Sequence, residues 1–268
     1  MPLTERRTAP TYGAILIRGL LAGLVAGLLA GVFAYSLGEP KVDAAIAIEE
    51  AAAQAEAPAA GEAGHSHDEE EALVSRDGQK GGLFLATALY GVAMGGLLAT
   101  AYTVLRRRLR TADDSRAALG LAGAALAGLV LVPFVKYPPN PPAVGDPSTI
   151  DQRTIGYLAI VVIGLVAVWA GVLASRSPRS GAPEWLRLLA GLGAFLVVVV
   201  VGYVLLPNID EVPETFPPSL LYNFRITSLG TQVTLWVSLG IAFAALLARL
   251  GGRDKPVTPA VEAESVAV

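Results

Sequence analysis

Six stretches of this 268-residue chain are long and apolar enough to cross a bilayer, and nothing else in the sequence constrains the fold as strongly. A helix needs about 20 apolar residues to span the hydrocarbon core, where every backbone polar group must be satisfied internally. The stretches lie at 12–37, 81–105, 117–135, 155–174, 185–206 and 229–247. The third is the weakest, being short and rich in alanine and glycine; a five-span reading that drops it would put the two chain ends on opposite sides. Apolar residues make up 53% of the chain and charged residues 16%, against about a quarter in soluble domains. Mean hydropathy is +0.55. The sequence therefore reads as an all-α integral membrane protein with about six transmembrane helices. Its longest connection, 38–80, lies between the first two spans.

Charge orients the spans. With residues 1–11 as a cytoplasmic N-terminus, 13 of the 20 basic residues fall on cytoplasmic segments, among them Arg6, Arg7, Arg106, Arg107, Arg108, Arg110, Arg176 and Arg179. Six fall outside: Lys41, Arg76, Lys80, Lys136, Arg153 and Arg225. Arg18 sits in the first span, where snorkelling to the cytoplasmic interface accounts for it. The expectation is N-in and C-in, multi-pass, in the cell membrane. The first apolar run exceeds the 7–15 residues of a signal-peptide core, so it reads as a retained span. Residues 251–268 form a polar, disordered cytoplasmic tail on this reading.

The outside loop between the first two spans divides in composition. Residues 42–60 are rich in alanine and glutamate and suit a short surface helix. Residues 61–71 read GEAGHSHDEEE. His65 and His67 are two apart, so an extended backbone points both to one side, with Asp68, Glu69, Glu70 and Glu71 following. Imidazole and carboxylate without thiolate suit Co(II), Ni(II) or Zn(II). The alternative is a solvated acidic loop that happens to contain histidine. Two further outside segments are stiffened by proline: 133–147 carries six and 207–218 carries four. Arg153 and Arg225 each precede a return helix, and those helices carry Trp169 and Trp236. Ordinary outer loops, which often contain proline and an anchoring arginine, explain this echo better than an internal repeat.

Gly19, Gly23, Gly27 and Gly31 are spaced by four in the first span, and Gly91 and Gly95 repeat the step in the second. Small residues on one helix face permit close backbone approach. They either pack spans one and two together or dock a separate membrane subunit. The sixth span is approached through Asn223, Arg225, Thr227, Ser228, Thr231 and Gln232, which either line an outward vestibule or bond to neighbouring helices.

Several classes are excluded. The chain has no cysteine, hence no disulfide, thiolate metal site or iron–sulfur cluster. It has no GxxxxGK[ST], GxSxG or HExxH run, so the expectation is that it is not an enzyme. A net charge of -3 gives no reason to expect a nucleic-acid partner, and no tightly bound cofactor is implied. The spans carry no internal Asp or Glu, which argues against ordinary proton or sodium coupling.

The run KYPPNPPAVGDPSTIDQRT at 136–154 resembles the CbtA family of predicted cobalt transporter subunits. The glycine-rich first span, the outside loop with histidine and acid, and the segment FRITSLGTQ at 224–232 followed by Trp236 resemble it as well. The likeness covers roughly residues 12–250. It implies cobalt uptake, in support of cobalamin synthesis, and a small single-span partner, CbtB, bearing its own histidine motif. This chain departs from richer members in having one HxH pair. On that resemblance the chain reads as the membrane subunit of an uptake system for cobalt or a related divalent ion, with Ni(II) and Zn(II) as the other candidates. His65, His67 and Asp68 to Glu71 would capture the ion, and Asp151, Arg153 and the polar approach to the sixth span would form the vestibule. The alternatives are a structural subunit that docks partner helices and transports nothing, and a permease for an organic solute.

Overall fold

The computed structural model describes residues 10–56, 75–109, 111, 113–179 and 181–252. Its α-helices are α1 (Tyr12–Phe33), α2 (Glu39–Glu56), α3 (Arg76–Leu105), α4 (Asp114–Ala125), α5 (Val132–Lys136), α6 (Ile150–Ala174), α7 (Glu184–Leu205) and α8 (Pro218–Gly252). No strand occurs among the described residues. Among the described residues six helical runs are long and apolar enough to cross a membrane, the third included. Side-chain caps start three of the helices: Thr11 accepts from the Ala14 amide, Ser75 from Gly78, and Asp113 from Ser115 and Arg116.

The first span does not stop at residue 37. A π-helical turn, Ala34–Gly38, joins α1 to α2 without a break. From Tyr12 to Glu56 the run measures about 65 Å at 1.5 Å per residue, roughly twice the hydrocarbon thickness. The first part of the expected loop is thus a helical extension standing clear of the apolar layer. One face of this run meets α3 at steps of four residues. A methyl group added at Gly23 would sit 2.1 Å from the Gly91 carbonyl oxygen, and one at Gly27 would sit 2.3 Å from that of Thr87. Tyr35 packs on Phe84 with ring centroids 5.6 Å apart. Farther along, Arg76 reaches Glu39 at 2.5 Å and Asp43 at 2.8 Å, and Lys80 reaches Asp43 at 3.0 Å. A regular α-helix rotates such a ladder by about 40° per four residues. Beyond the wider π-turn the extension stays tied to α3 by these ion pairs, while its Ala45 and Ile48 pack with Val144, Phe216, Leu220 and Leu221. The glycine face is therefore filled from within the chain, by α3.

The third span is also composite. A second π-turn, Leu126–Leu131, precedes α5, and Pro133 lies just beyond it. Proline has no amide hydrogen and crowds the preceding turn, so a widened turn there lets the helix continue. The last helix begins at Pro218 rather than at 229, because its polar residues satisfy themselves. The hydroxyls of Thr227, Ser228 and Thr231 donate to carbonyls three or four residues back at 2.8–3.0 Å.

Helices α1, α3, α4 and α8 form the main bundle, with α8 lying between α1 and α4. Its core pairs small residues (Ala22, Ala26, Ala118, Ala122) with Leu235, Leu239 and Phe243, and Phe243 meets Tyr102 edge-on. Helices α6 and α7 form a second unit around Ile160, Ala167 and Val199. It joins the bundle at the second π-turn, where Gly164 and Gly128 touch backbone to backbone. Val204 and Leu205 on α7 are 79% and 75% exposed, as a lipid-facing helix requires. Trp169 points outward while Trp236 is buried, so the echo between the two hairpins does not extend to their tryptophans.

Candidate functional site

The proline-rich segments meet at one end of the bundle. Lys136 Nζ donates to the Tyr203 carbonyl at 3.0 Å and to Asn208 Oδ1 at 2.6 Å. Tyr137 Oη donates to the Pro207 carbonyl at 2.8 Å. The turn Pro141 to Val144 closes with a 3.2 Å backbone bond, with Ala143 at φ 64° in the left-handed region. Asp146 then caps the short turn Pro147–Thr149 that leads into α6. The Ser148 backbone amide holds the Asp146 carboxyl below the usual carboxylate range, so it stays ionised. Stiff as each segment is, the two are also sewn to one another.

At the centre of this stitching lies Glu211, whose side chain is only 2% exposed. It accepts from Arg153 Nη1 at 2.8 Å, from Asn140 Nδ2 at 3.3 Å and from the Thr149 hydroxyl. Asn140 in turn accepts from Arg225 Nη2 at 2.9 Å, and Arg225 Nε also donates to the Pro139 carbonyl. One carboxylate and two guanidiniums thus share a network, with Asn140 as the bridge. Arg153, by contrast with its partner, is 43% exposed.

Beneath the network a cavity of about 630 Å³ opens among α3, the third span, α6 and α8. That volume is typical of small-ligand sites. Tyr90, Tyr137, Asn140, Arg153, Tyr157 and Gln232 supply its polar lining. The Gln232 side chain engages Tyr90, yet its Oε1 is buried without a hydrogen-bond partner. A second cavity, about 450 Å³, lies outside the first, between α2 and the proline turn, and Glu49, Asp146 and Arg153 line it.

Of the vestibule residues named from sequence, Arg153 and Gln232 line the inner cavity, and Arg225 reaches it through Asn140. Asp151 and Asn223 are exposed on their helices, and Thr231 bonds along α8; none of the three lines a cavity. His65, His67, Asp68, Glu69, Glu70 and Glu71 lie outside the described residues. Among the described residues no three His, Cys, Asp or Glu side chains converge. Gly19, Gly23, Gly27, Gly31, Gly91 and Gly95 all lie at the contact between α1 and α3. Arg18 donates to the Ala14 carbonyl at 2.7 Å, folding back toward the N-terminal end of its span. Sequence reading missed Glu211, Asn140, Tyr90 and Tyr157. An acid inside a proline-stiffened segment, DEVPETFPP, was the available signal for Glu211.

Among the described residues, six helices long and apolar enough to span a membrane, with an exposed shell of leucine and valine, define a multi-pass membrane protein. Residues 12–248 match the model of the family described as probable cobalt transporter subunit (CbtA), and the chain belongs to that family. No curated protein and no solved structure matches the chain.

Proposed function

We propose that this chain is the membrane subunit of an uptake system for cobalt or a closely related divalent ion, supplying cobalamin synthesis. The observation that supports the reading, beside the family, is the cavity under the proline-rich segments, into whose lining Tyr90, Tyr137, Asn140, Arg153, Tyr157 and Gln232 bring polar groups. The proline end faces outside in this reading, and the arginine-rich turns face the cytoplasm of a plasma-membrane protein. His65, His67 and the acids Asp68 to Glu71 capture the ion outside. The two cavities form its way in. A single-span CbtB-like subunit docks on a lipid-facing surface, since the glycine face is already occupied by α3.

Metal accumulation in cells tests this. Cells expressing the chain with a single-span partner should take up Co(II) above background, and the His65→Ala/His67→Ala double variant should take up less at limiting metal. Uptake of an organic solute without metal would overturn the reading. So would an absence of metal uptake with and without the partner.

A further inference from the structure

The two cavities share Arg153, and what Arg153 covers is the only carboxylate in the network. A carboxylate as buried as Glu211 cannot be left without a cation at tolerable cost. Arg153 supplies that cation from a half-open position, reachable from the outer cavity. Arginine binds a carboxylate through oriented N–H donors, whereas a divalent ion binds the same oxygens directly. Both satisfy the same charge. We propose that Glu211 is a divalent-cation site whose place the Arg153 guanidinium holds, and that an ion arriving from the outer cavity displaces it.

The surroundings are arranged for such an exchange. Thr149 places its hydroxyl oxygen on the Glu211 carboxylate and can join it as a ligand, with water completing the shell. These are hard oxygen donors, suited to Co(II), Mn(II) or Mg(II) alike, so the site admits divalent ions without selecting cobalt. The displaced guanidinium does not become an orphan, because Glu49 and Asp146 line the outer cavity into which it swings. Neither Glu211 nor Arg153 is therefore left as an uncompensated charge at either end of the exchange. Arg225 stays where it is, held by Asn140 and Pro139. The inner cavity, which Gln232 also lines, shares Arg153 as a wall. In this scheme Arg153 separates an acidic outer chamber from a neutral inner one and yields only to a cation.

This inference rests on the uptake reading for its purpose, but its test does not. Full-length protein in detergent carries His65→Ala and His67→Ala, so that the outer loop contributes no imidazole. Co(II) binding is measured by calorimetry, and Mn(II) binding by electron paramagnetic resonance. Arg153→Gln, which removes the competing cation, should tighten the binding of both ions at least about tenfold, because relief of an unpaired buried carboxylate is added to it. Adding Glu211→Gln should abolish the gain. If Arg153→Gln does not fold, Arg153→Lys keeps a tethered charge with a single-point contact, and should bind the ions more tightly than the Arg153 protein. Unchanged affinity on replacing Arg153, or a gain that survives Glu211→Gln, overturns the proposal. Cells that take up no metal while the purified protein shows the gain would overturn the uptake reading and leave the site standing.

Discussion

The contact between α1 and α3 gives the sharpest test of how this chain is held together. A methyl group at Gly23 would lie 2.1 Å from one backbone oxygen of α3, and one at Gly27 would lie 2.3 Å from another. Ordinary contact begins near 3.4 Å, so each substitution drives the two helices apart by about 1.1–1.3 Å at that point. The obstacles are backbone atoms and cannot swing aside. Overpacking of this kind costs about 1–3 kcal/mol. Gly→Ala in a helix returns up to about 1 kcal/mol through propensity. The chain supplies its own control in Gly120 and Gly123 on α4, where an added methyl meets nothing within 4 Å. Gly23→Ala/Gly27→Ala and Gly120→Ala/Gly123→Ala remove the same number of glycines from helices. Thermal unfolding in detergent should place the first pair well below wild type and the second at or above it. The expected gap is about 1–3 kcal/mol per site. If the two double variants unfold at the same temperature, close backbone approach is not what stabilises this pair.

Other outcomes follow from the same residues. Ala143 holds a positive φ at the third position of a Pro-Pro-Ala-Val turn, a place that suits glycine. Ala143→Gly should leave the fold intact and raise thermal stability by up to about 1 kcal/mol; a clear loss of stability would show that the turn is not strained. Single cysteines introduced at Ser66 and Ser148 should react with an impermeant thiol reagent applied to whole cells, and one at Ser180 should not; labelling at Ser180 refutes the assigned orientation. Metal binding by the full chain should weaken as pH falls through the histidine range near 6.5, because a histidine must be neutral to ligate. Neighbouring carboxylates favour the imidazolium and should move that loss toward higher pH. A His65→Ala/His67→Ala protein that binds Co(II) as well as wild type at a pH of about 7.5 would leave the loop with no ligand role.

Much of the architecture is legible in the sequence, because lipid restricts a chain to so few solutions. Long apolar runs can only be helices, and arginine-rich turns can be told from proline-rich ones. The four-residue glycine step announced a close approach but not its partner, since the same pattern serves internal and external contacts. The π-turns were not legible. One adjoins Pro133, and the other lies where the run passes from the glycine contact with α3 to the ion pairs of Glu39 and Asp43. The site was half legible. Arg153, Arg225 and Gln232 drew attention as polar residues next to apolar runs. Glu211 did not, because its burial depends on Asn140 and Thr149, more than 60 residues earlier in the chain.

The position of α8 between α1 and α4 fixes an order of events during synthesis. A chain is made from its N-terminus, so five spans are in place before the sixth is complete. Until then the slot that will receive α8 is walled by alanines such as Ala22, Ala26, Ala118 and Ala122, small enough to leave no competing core of their own. The last helix brings Leu235, Leu239 and Phe243 to fill the slot, and on the same helix brings Gln232 to the cavity wall and Arg225 to Asn140. The sixth span is thus a keystone: the bundle closes, and the cavity acquires a further wall, in a single act once that span has been made.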